Sequence, residues 1–257
     1  MKTDYKFVSY SHRGAVGIIT LDRPREMNAL SRKMCEELST LIGDLGNNPD
    51  VAVVILYGGP DVFSAGIDIN ELITIDQTDY REYFDSFIDY YIQIYDFPKP
   101  MIAAVCGIAM GGGFNLALSC DFIVASDTAI FAHPEIKFGL NPLFGPLWTR
   151  VGTSRAKEIA MTGEPVGAHE AERIGLVNRV FPTEEVFNGA MTLAESLAEK
   201  SPKVLSMIKR VSDLVPRLDR RSAIEHEVEV SALLLSYRET RDKLYAMLGD
   251  LKKKKGK

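Results

Sequence analysis

The chain has 257 residues, 46% hydrophobic and 25% charged, with a formal net charge of −5. That balance is ordinary for a folded globular protein and excludes disordered and fibrous classes. The negative charge argues against a general nucleic-acid binder, whose phosphate contacts favour a basic surface.

The N-terminal half reads as strands and helices in alternation. Phe7–Tyr10 and Ala15–Leu21 are rich in β-branched and aromatic residues, and Ser11–Gly14 between them predicts a hairpin turn. Ser31 is placed to cap a helix running to about Leu45, with Leu30, Met34, Leu38, Leu41 and Leu45 at helical spacing. Gly46–Asp50 ends that helix, and Val51–Tyr57 reads as a buried strand broken by Gly58, Gly59 and Pro60. An aromatic-rich helix is expected over Asp79–Tyr95. Pro98 and Pro100 then introduce a strand, Met101–Val105, followed by a helix over Phe114–Ser119 and a strand over Phe122–Ser126.

Beyond Pro142 the pattern becomes helical. Ser201-Pro202 pairs a cap residue with proline at the first helical position. Val204, Ile208, Val211 and Leu214 or Val215 give that helix one apolar face, and Glu225–Leu248 reads as one long helix. The expected organisation is an α/β core, residues 1–195, and a helical C-terminal region, residues 196–257. Lys252–Lys257 form a basic tail, read as a solvated terminus rather than a phosphate contact.

Cys35, Cys106 and Cys120 are odd in number and far apart, so no disulfide framework or metal pattern is expected. Met1–Tyr10 lack the apolar core of a signal peptide, and no apolar run approaches membrane-spanning length. A soluble, cytoplasmic protein without nucleic-acid or membrane partners is the expectation.

Two glycine-flanked turns stand out. Phe63-Ser64-Ala65-Gly66-Ile67-Asp68-Ile69 places small residues between a strand and a polar-capped helix start. Gly107-Ile108-Ala109-Met110-Gly111-Gly112-Gly113 lies directly before a helix, whose free N–H groups and positive dipole end would face a ligand. Taken singly, each also fits a phosphate cradle or a plain tight turn. The spacing matches neither the dinucleotide fingerprint nor the nucleotide P-loop.

Together, and in order with three further segments, these residues resemble the crotonase (enoyl-CoA hydratase/isomerase) superfamily over almost the whole chain. Leu21-Asp22-Arg23-Pro24 with Met27-Asn28-Ala29-Leu30 is similar to the family's first signature. The 63–68 turn resembles its thioester- and adenine-holding segment. Ile102–Val105, Gly107–Gly113 and Cys120-Asp121 resemble the central signature. Pro134-Glu135-Ile136, Gly139-Leu140 and Pro142 resemble the catalytic strand-loop. Thr162-Gly163-Glu164, Ala168 and Ala171 to Asn178 resemble the late signature.

The resemblance implies a crotonase spiral of ββα units with a C-terminal helical region that trimerises and covers the active site, assembled as a homotrimer or homohexamer. It implies an acyl-CoA thioester substrate, coenzyme A being part of the substrate, and no metal or redox cofactor. It places an oxyanion hole at the Ile67 and Gly112 N–H groups. It assigns substrate contacts, mostly through backbone, to Glu26, Met27, Ala29, Ser64, Ala65, Gly66, Asp68, Ile69 and Gly111.

For proton transfer the family's hydratases use two glutamates. Glu135 matches the second, but Asn115 stands at the first position. A carboxamide hydrogen-bonds but has no usable proton equilibrium near neutral pH. Family isomerases work with the second glutamate alone, so Glu135 without a carboxylate partner favours double-bond isomerisation. A hydratase using Glu135 with Asn115 is the alternative, and a non-catalytic acyl-CoA binder is the third reading. Family dehalogenases, decarboxylases and thioester hydrolases share the same framework.

His133, two residues before Glu135, reads as pocket lining or as a second acid–base group. Asp121 reads as a backbone anchor and Cys106 as a small buried filler. Most rings of the 80–95 stretch are expected in the core, with a few shaping the acyl pocket beside Phe144 and Trp148. Leu233–Leu235 and Tyr237 fit a packed helix face, and Arg241-Asp242 stands where many hydratases carry Glu-Gly.

Overall fold

The computed structural model describes residues 5–255, with side chains as far as Gly249. It opens on the expected hairpin, β1 (Val8–Arg13) and β2 (Val16–Leu21), paired from Val8↔Leu21 to Arg13↔Val16. The turn is tighter than expected: Ser11–Arg13 belong to β1, and Gly14-Ala15 turn the chain, with Gly14 at φ 57°. In helix α1 (Arg32–Asn47) the Ser31 hydroxyl accepts from the Met34 N–H at 3.3 Å. The helix buries Met34, Leu38, Leu41 and Leu45 and runs on through Gly46. Strand β3 (Val53–Tyr57) begins two residues later than expected, because the Val51 N–H still closes a turn onto Asn48 O.

The middle of the chain holds α2 (Ile69–Leu72), α3 (Tyr80–Tyr95), β4 (Met101–Val105), β5 (Ile108–Met110), α4 (Gly112–Ser119), β6 (Phe122–Ser126) and β7 (Ile130–Ala132). Next come α5 (Phe144–Thr162, interrupted at Gly152), β8 (Val166–Gly167), α6 (Ala168–Arg173), β9 (Arg179–Phe181) and α7 (Val186–Ala198). The region beyond Pro142 is therefore not helical alone. Strands of two and three residues are too short to show a period, so β8 and β9 leave no mark in the sequence.

Two sheets result. The larger runs β1-β2-β3-β4-β6-β9, parallel apart from the first hairpin, and the smaller runs β5-β7-β8. The chain alternates between them: β4 and β6 join the large sheet, while β5 and β7, which follow them, pair in parallel in the small one. This is the ββα spiral of the crotonase fold. Period-two alternation divides the large sheet's residues between two cores. Val54 and Leu56 pack with the buried faces of α1 and α3, whereas Val53 and Ile55 pack with Val186, Ala190 and Ala194 of α7.

The chain divides into two compact units, Met1–Lys200 and Ser201–Lys257. The second holds α8 (Pro202–Leu214), α9 (Arg220–Ser236) and α10 (Arg238–Lys255). Pro202 occupies the first turn of α8 as its fixed φ favours. The single helix expected over 225–248 is instead two. Asp219 caps α9 by accepting from Arg221 and Ser222 N–H, and Tyr237, extended at ψ 135°, ends it. In the single chain Leu233 and Leu235 are exposed, while Leu234 and Tyr237 are half-buried. The side chains of the basic tail, Lys252–Lys257, lie outside the described residues. Among the described residues no helix is long and apolar enough to cross a membrane.

Candidate active site

Three loops meet because β5 and β7 of the small sheet pair in parallel and in register. Met110 pairs with Ala132, so the residues that follow each strand, Gly111-Gly112 and His133–Glu135, emerge side by side. The Gly111 N–H donates to Ala132 O at 2.9 Å and fastens that junction. An isolated parallel bridge, Ser64↔Ala109, adds the 64–67 turn as a third neighbour. The Phe63 and Ser64 N–H groups both reach Ile108 O at 3.1 Å, and the Met110 N–H returns to Ser64 O at 3.0 Å.

Glycine is required where these loops touch. A β-carbon on Gly66, whose φ is +95°, would sit 2.6 Å from Met110 O. One on Gly113 would sit 2.6 Å from Ser64 Cβ. One on Gly112 would lie 3.2 Å from Ile67 N and 3.3 Å from the Tyr91 hydroxyl. One on Gly111, at φ +50°, would press on Glu135 Oε1 at 3.2 Å. The glycine run therefore lets two backbone segments and a carboxylate close on one point.

That point opens on a cavity of about 570 Å³. Ala65, Ile67, Ile69, Gly111, Gly112, Asn115 and Glu135 all line it. Among the described residues neither the Ile67 nor the Gly112 backbone N–H has an acceptor. Gly112 opens α4, where the first N–H groups have no partner in their own helix. The Glu135 side chain is largely buried, and neither its Oε2 nor Asn115 Oδ1 has a hydrogen-bond partner in the protein. Tyr91 donates to Gly112 O at 2.9 Å. Burial holds its phenol far above the usual value, a shift to which the Glu135 charge adds, so Tyr91 is a fixed donor rather than a proton carrier.

Two free N–H donors beside an unpaired carboxylate can stabilise a developing oxyanion while a proton moves. The sequence model of the enoyl-CoA hydratase/isomerase family matches residues 11–249. The chain belongs to that family. A Mycobacterium leprae protein described as a probable enoyl-CoA hydratase is 39% identical over 198 residues, 76% of this chain and 76% of its own length. The short-chain-enoyl-CoA hydratase of Clostridium acetobutylicum is 33% identical over 239 residues, covering 91% of this chain and 92% of its own. The crystal structure of an enoyl-CoA hydratase from Bacillus anthracis superposes with a TM-score of 0.91 at 28% identity, over 95% of this chain and 97% of that one.

In this hydratase/isomerase-family chain the remaining expected site residues stand back from the cavity. Glu26, Met27 and Ala29 lie in a tight turn that leans on the site, where the Ala65 N–H donates to Met27 O at 2.9 Å. Met27 and Asn28 are both left-handed, at φ 50° and 51°, an unusual conformation for residues with side chains. Asn28 holds that shape: fully buried, its Nδ2 donates to Gly58, Val62 and Phe63 carbonyls, and its Oδ1 accepts from the Arg23 N–H. Asn28→Ala strips four backbone groups of their partner. We expect a loss of about 3 kcal/mol in stability, measured by denaturant unfolding.

Ser64 turns inward, its hydroxyl donating to Asn28 O at 2.8 Å. Asp68 caps α2 and pairs with Arg23 at 2.9 Å. Asp121 anchors backbone, accepting from the Met101 N–H at 2.7 Å. Cys106 is a buried filler whose thiol burial pushes up to about 11, so it stays protonated at neutral pH.

Of the aromatic stretch, Phe84, Phe87 and Tyr91 line the cavity, while Tyr83 and Tyr90 are core. Phe144 and Trp148 do not line it: Phe144 packs on the core, and Trp148 Nε1 donates to Thr153. Sequence reasoning missed Arg81 and Asp85, an ion pair on the cavity wall with closest atoms 2.8 Å apart, because an i,i+4 pair reads as a solvated helix face. It also missed Phe138 and Leu143, apolar residues whose position follows only from the loop's path after Glu135.

Proposed function

We propose that the protein adds water reversibly to a 2-enoyl-CoA thioester. The observation that carries this reading is the pair of unpartnered, buried acceptors, Glu135 Oε2 and Asn115 Oδ1, on the cavity that also holds two free backbone N–H groups. The thioester oxygen accepts from Ile67 and Gly112 N–H. A water between the two side chains donates one hydrogen to each. Glu135 takes a proton as the water oxygen bonds to Cβ, and the double-bond electrons move onto the thioester oxygen as an enolate. Glu135 then returns that proton to Cα, so one water is added and the carboxylate is restored. The acyl chain runs along Leu72, Phe84, Phe87 and Ile88, and the coenzyme A arm passes the 26–29 and 64–69 turns against backbone.

The sequence alone leans towards isomerisation, because Asn115 leaves Glu135 as the sole proton carrier of the pair. Two findings move the emphasis. The named relatives are hydratases. An isomerase has no water to orient, whereas an unpartnered amide oxygen beside the base gives a hydratase an acceptor for its water. Isomerisation remains the second reading for the reason that first favoured it. In that reaction Glu135 removes a proton from Cα of a 3-enoyl-CoA and returns it at Cγ.

Incubation with 2-enoyl- and 3-enoyl-CoA thioesters in heavy-oxygen water, read by mass spectrometry, separates the two. Hydration predicts a labelled 3-hydroxyacyl product. Double-bond migration without label would replace it with the isomerase reading. Asn115→Ala sharpens the test. We expect hydration to fall about 10- to 100-fold, the scale of misplacing a reacting group, with any 3-enoyl-CoA isomerisation within a few fold of the unaltered protein.

A further inference from the structure

His133 is used by none of the steps above, yet it is a fully enclosed polar side chain beside the cavity. It is fully buried, and neither ring nitrogen has a hydrogen-bond partner. Its ring stacks on Phe114, with centroids 4.7 Å apart at 37°. The Phe114 ring in turn lies 5.5 Å from that of Phe131, so the imidazole is clamped by packing. Its Nδ1 lies 3.4 Å from Glu135 Oε2. The other carboxylate oxygen, Oε1, is the one a side chain at Gly111 would strike.

An imidazole buried without polar contacts loses its hydration for nothing in return, so a structural core position would favour an apolar ring of the same size. The nearby carboxylate changes that balance. With its proton on Nδ1, His133 has one polar group in reach, Glu135 Oε2, itself short of a donor. A separation of 3.4 Å is longer than a formed hydrogen bond, and such contacts tighten when substrate closes the site.

We infer that His133 is a positioning residue: its Nδ1–H holds Glu135 Oε2, fixing the carboxylate's rotation so that Oε1, over Gly111, is the oxygen that exchanges protons with the substrate. The inference rests on Glu135 being the proton-transfer group. It adds that the two oxygens are not equivalent and that a buried donor distinguishes them. His133 acts on the carboxylate alone, so its loss lowers turnover without weakening substrate binding.

The test compares steady-state hydration of one 2-enoyl-CoA by the unaltered protein and by Glu135→Gln, His133→Phe and His133→Asn, with thermal midpoints measured alongside. His133→Phe keeps the stacked ring and removes the donor. His133→Leu replaces it as the donor-less variant should the larger ring prevent folding. His133→Asn restores an N–H near the position of Nδ1. We expect kcat to fall at least ~10-fold in the donor-less variant, with KM within about threefold, and His133→Asn to regain most of it. A donor-less variant that turns over normally, while Glu135→Gln is inactive, overturns the His133 inference alone. Equal losses in Phe and Asn variants that both fold overturn it too, since a packing role would not discriminate them by their N–H. Normal turnover in Glu135→Gln would overturn this inference together with the reading of Glu135.

Discussion

Glu135→Gln is expected to lower kcat by on the order of 10³-fold or more, about 4 kcal/mol of transition-state stabilisation, with little change in KM or thermal midpoint. The amide keeps the shape of the carboxylate and its place over Gly111, so the fold around it is undisturbed. What it loses is the ability to take a proton and return it. Asn115 cannot substitute, because it too is an amide. Asp85 also lines the cavity but is tied to Arg81 on α3, away from the loop junction. Steady-state kinetics on a 2-enoyl-CoA, with binding measured separately, checks this. Turnover near the unaltered rate would show that the proton travels by another group.

Gly113→Ala is expected to damage fold and activity together. The added methyl meets the Ser64 backbone and lies 2.6 Å from Ser64 Cβ, in a region where strand pairing leaves neither side free to move. Overpacking of this kind costs about 3 kcal/mol, which for a chain of this length lowers the midpoint by roughly 10 °C. The activity loss should exceed what unfolding explains. Pushing the 64–67 turn from the start of α4 separates the Ile67 N–H from the Gly112 N–H, and losing one such donor costs about 3 kcal/mol, or ~100-fold, in kcat. The check is kcat measured well below the shifted midpoint. A variant that is less stable but fully active at low temperature would mean the two N–H groups need not converge.

Much of this architecture is legible in the sequence, and the illegible parts share a physical cause. The periodicity of α1, the strand Met101–Val105 and the strand Phe122–Ser126 follow from local pattern, and the structure reproduces both strands residue for residue. The glycine turns at 63–69 and 107–113 were identifiable as places of close approach. The partner of each approach was not, because it depends on the register of two three-residue strands, β5 and β7. The strands after Pro142 were missed because two- and three-residue strands carry no period, and the break at Tyr237 has no glycine or proline to mark it.

At the site itself, Glu135, Asn115, Ile67 and Gly112 were named from motif resemblance and do line one cavity. The residues assigned to substrate from the first signature, Glu26, Met27 and Ala29, do not line that cavity, and their turn buttresses the 64–67 turn through the Ala65 N–H bond to Met27 O. Asn28, which builds that buttress, looks in the sequence like any turn asparagine. Its burial beneath three carbonyls appears only once the strands are paired. Likewise nothing in the sequence tells that His133 lies buried beside the catalytic candidate with no other polar neighbour.

Whether water is added or a double bond is moved, the Ile67 and Gly112 N–H groups are expected to grip a thioester oxygen beside Glu135. Infrared difference spectra of Glu135→Gln bound to an acyl-CoA labelled with carbon-13 at the thioester carbonyl test it directly. Two hydrogen bonds from fixed donors in a site without bulk water weaken the carbonyl bond, so its stretch should move to lower wavenumber than in free acyl-CoA in water. A bound thioester whose carbonyl absorbs where it does in water would contradict the claim.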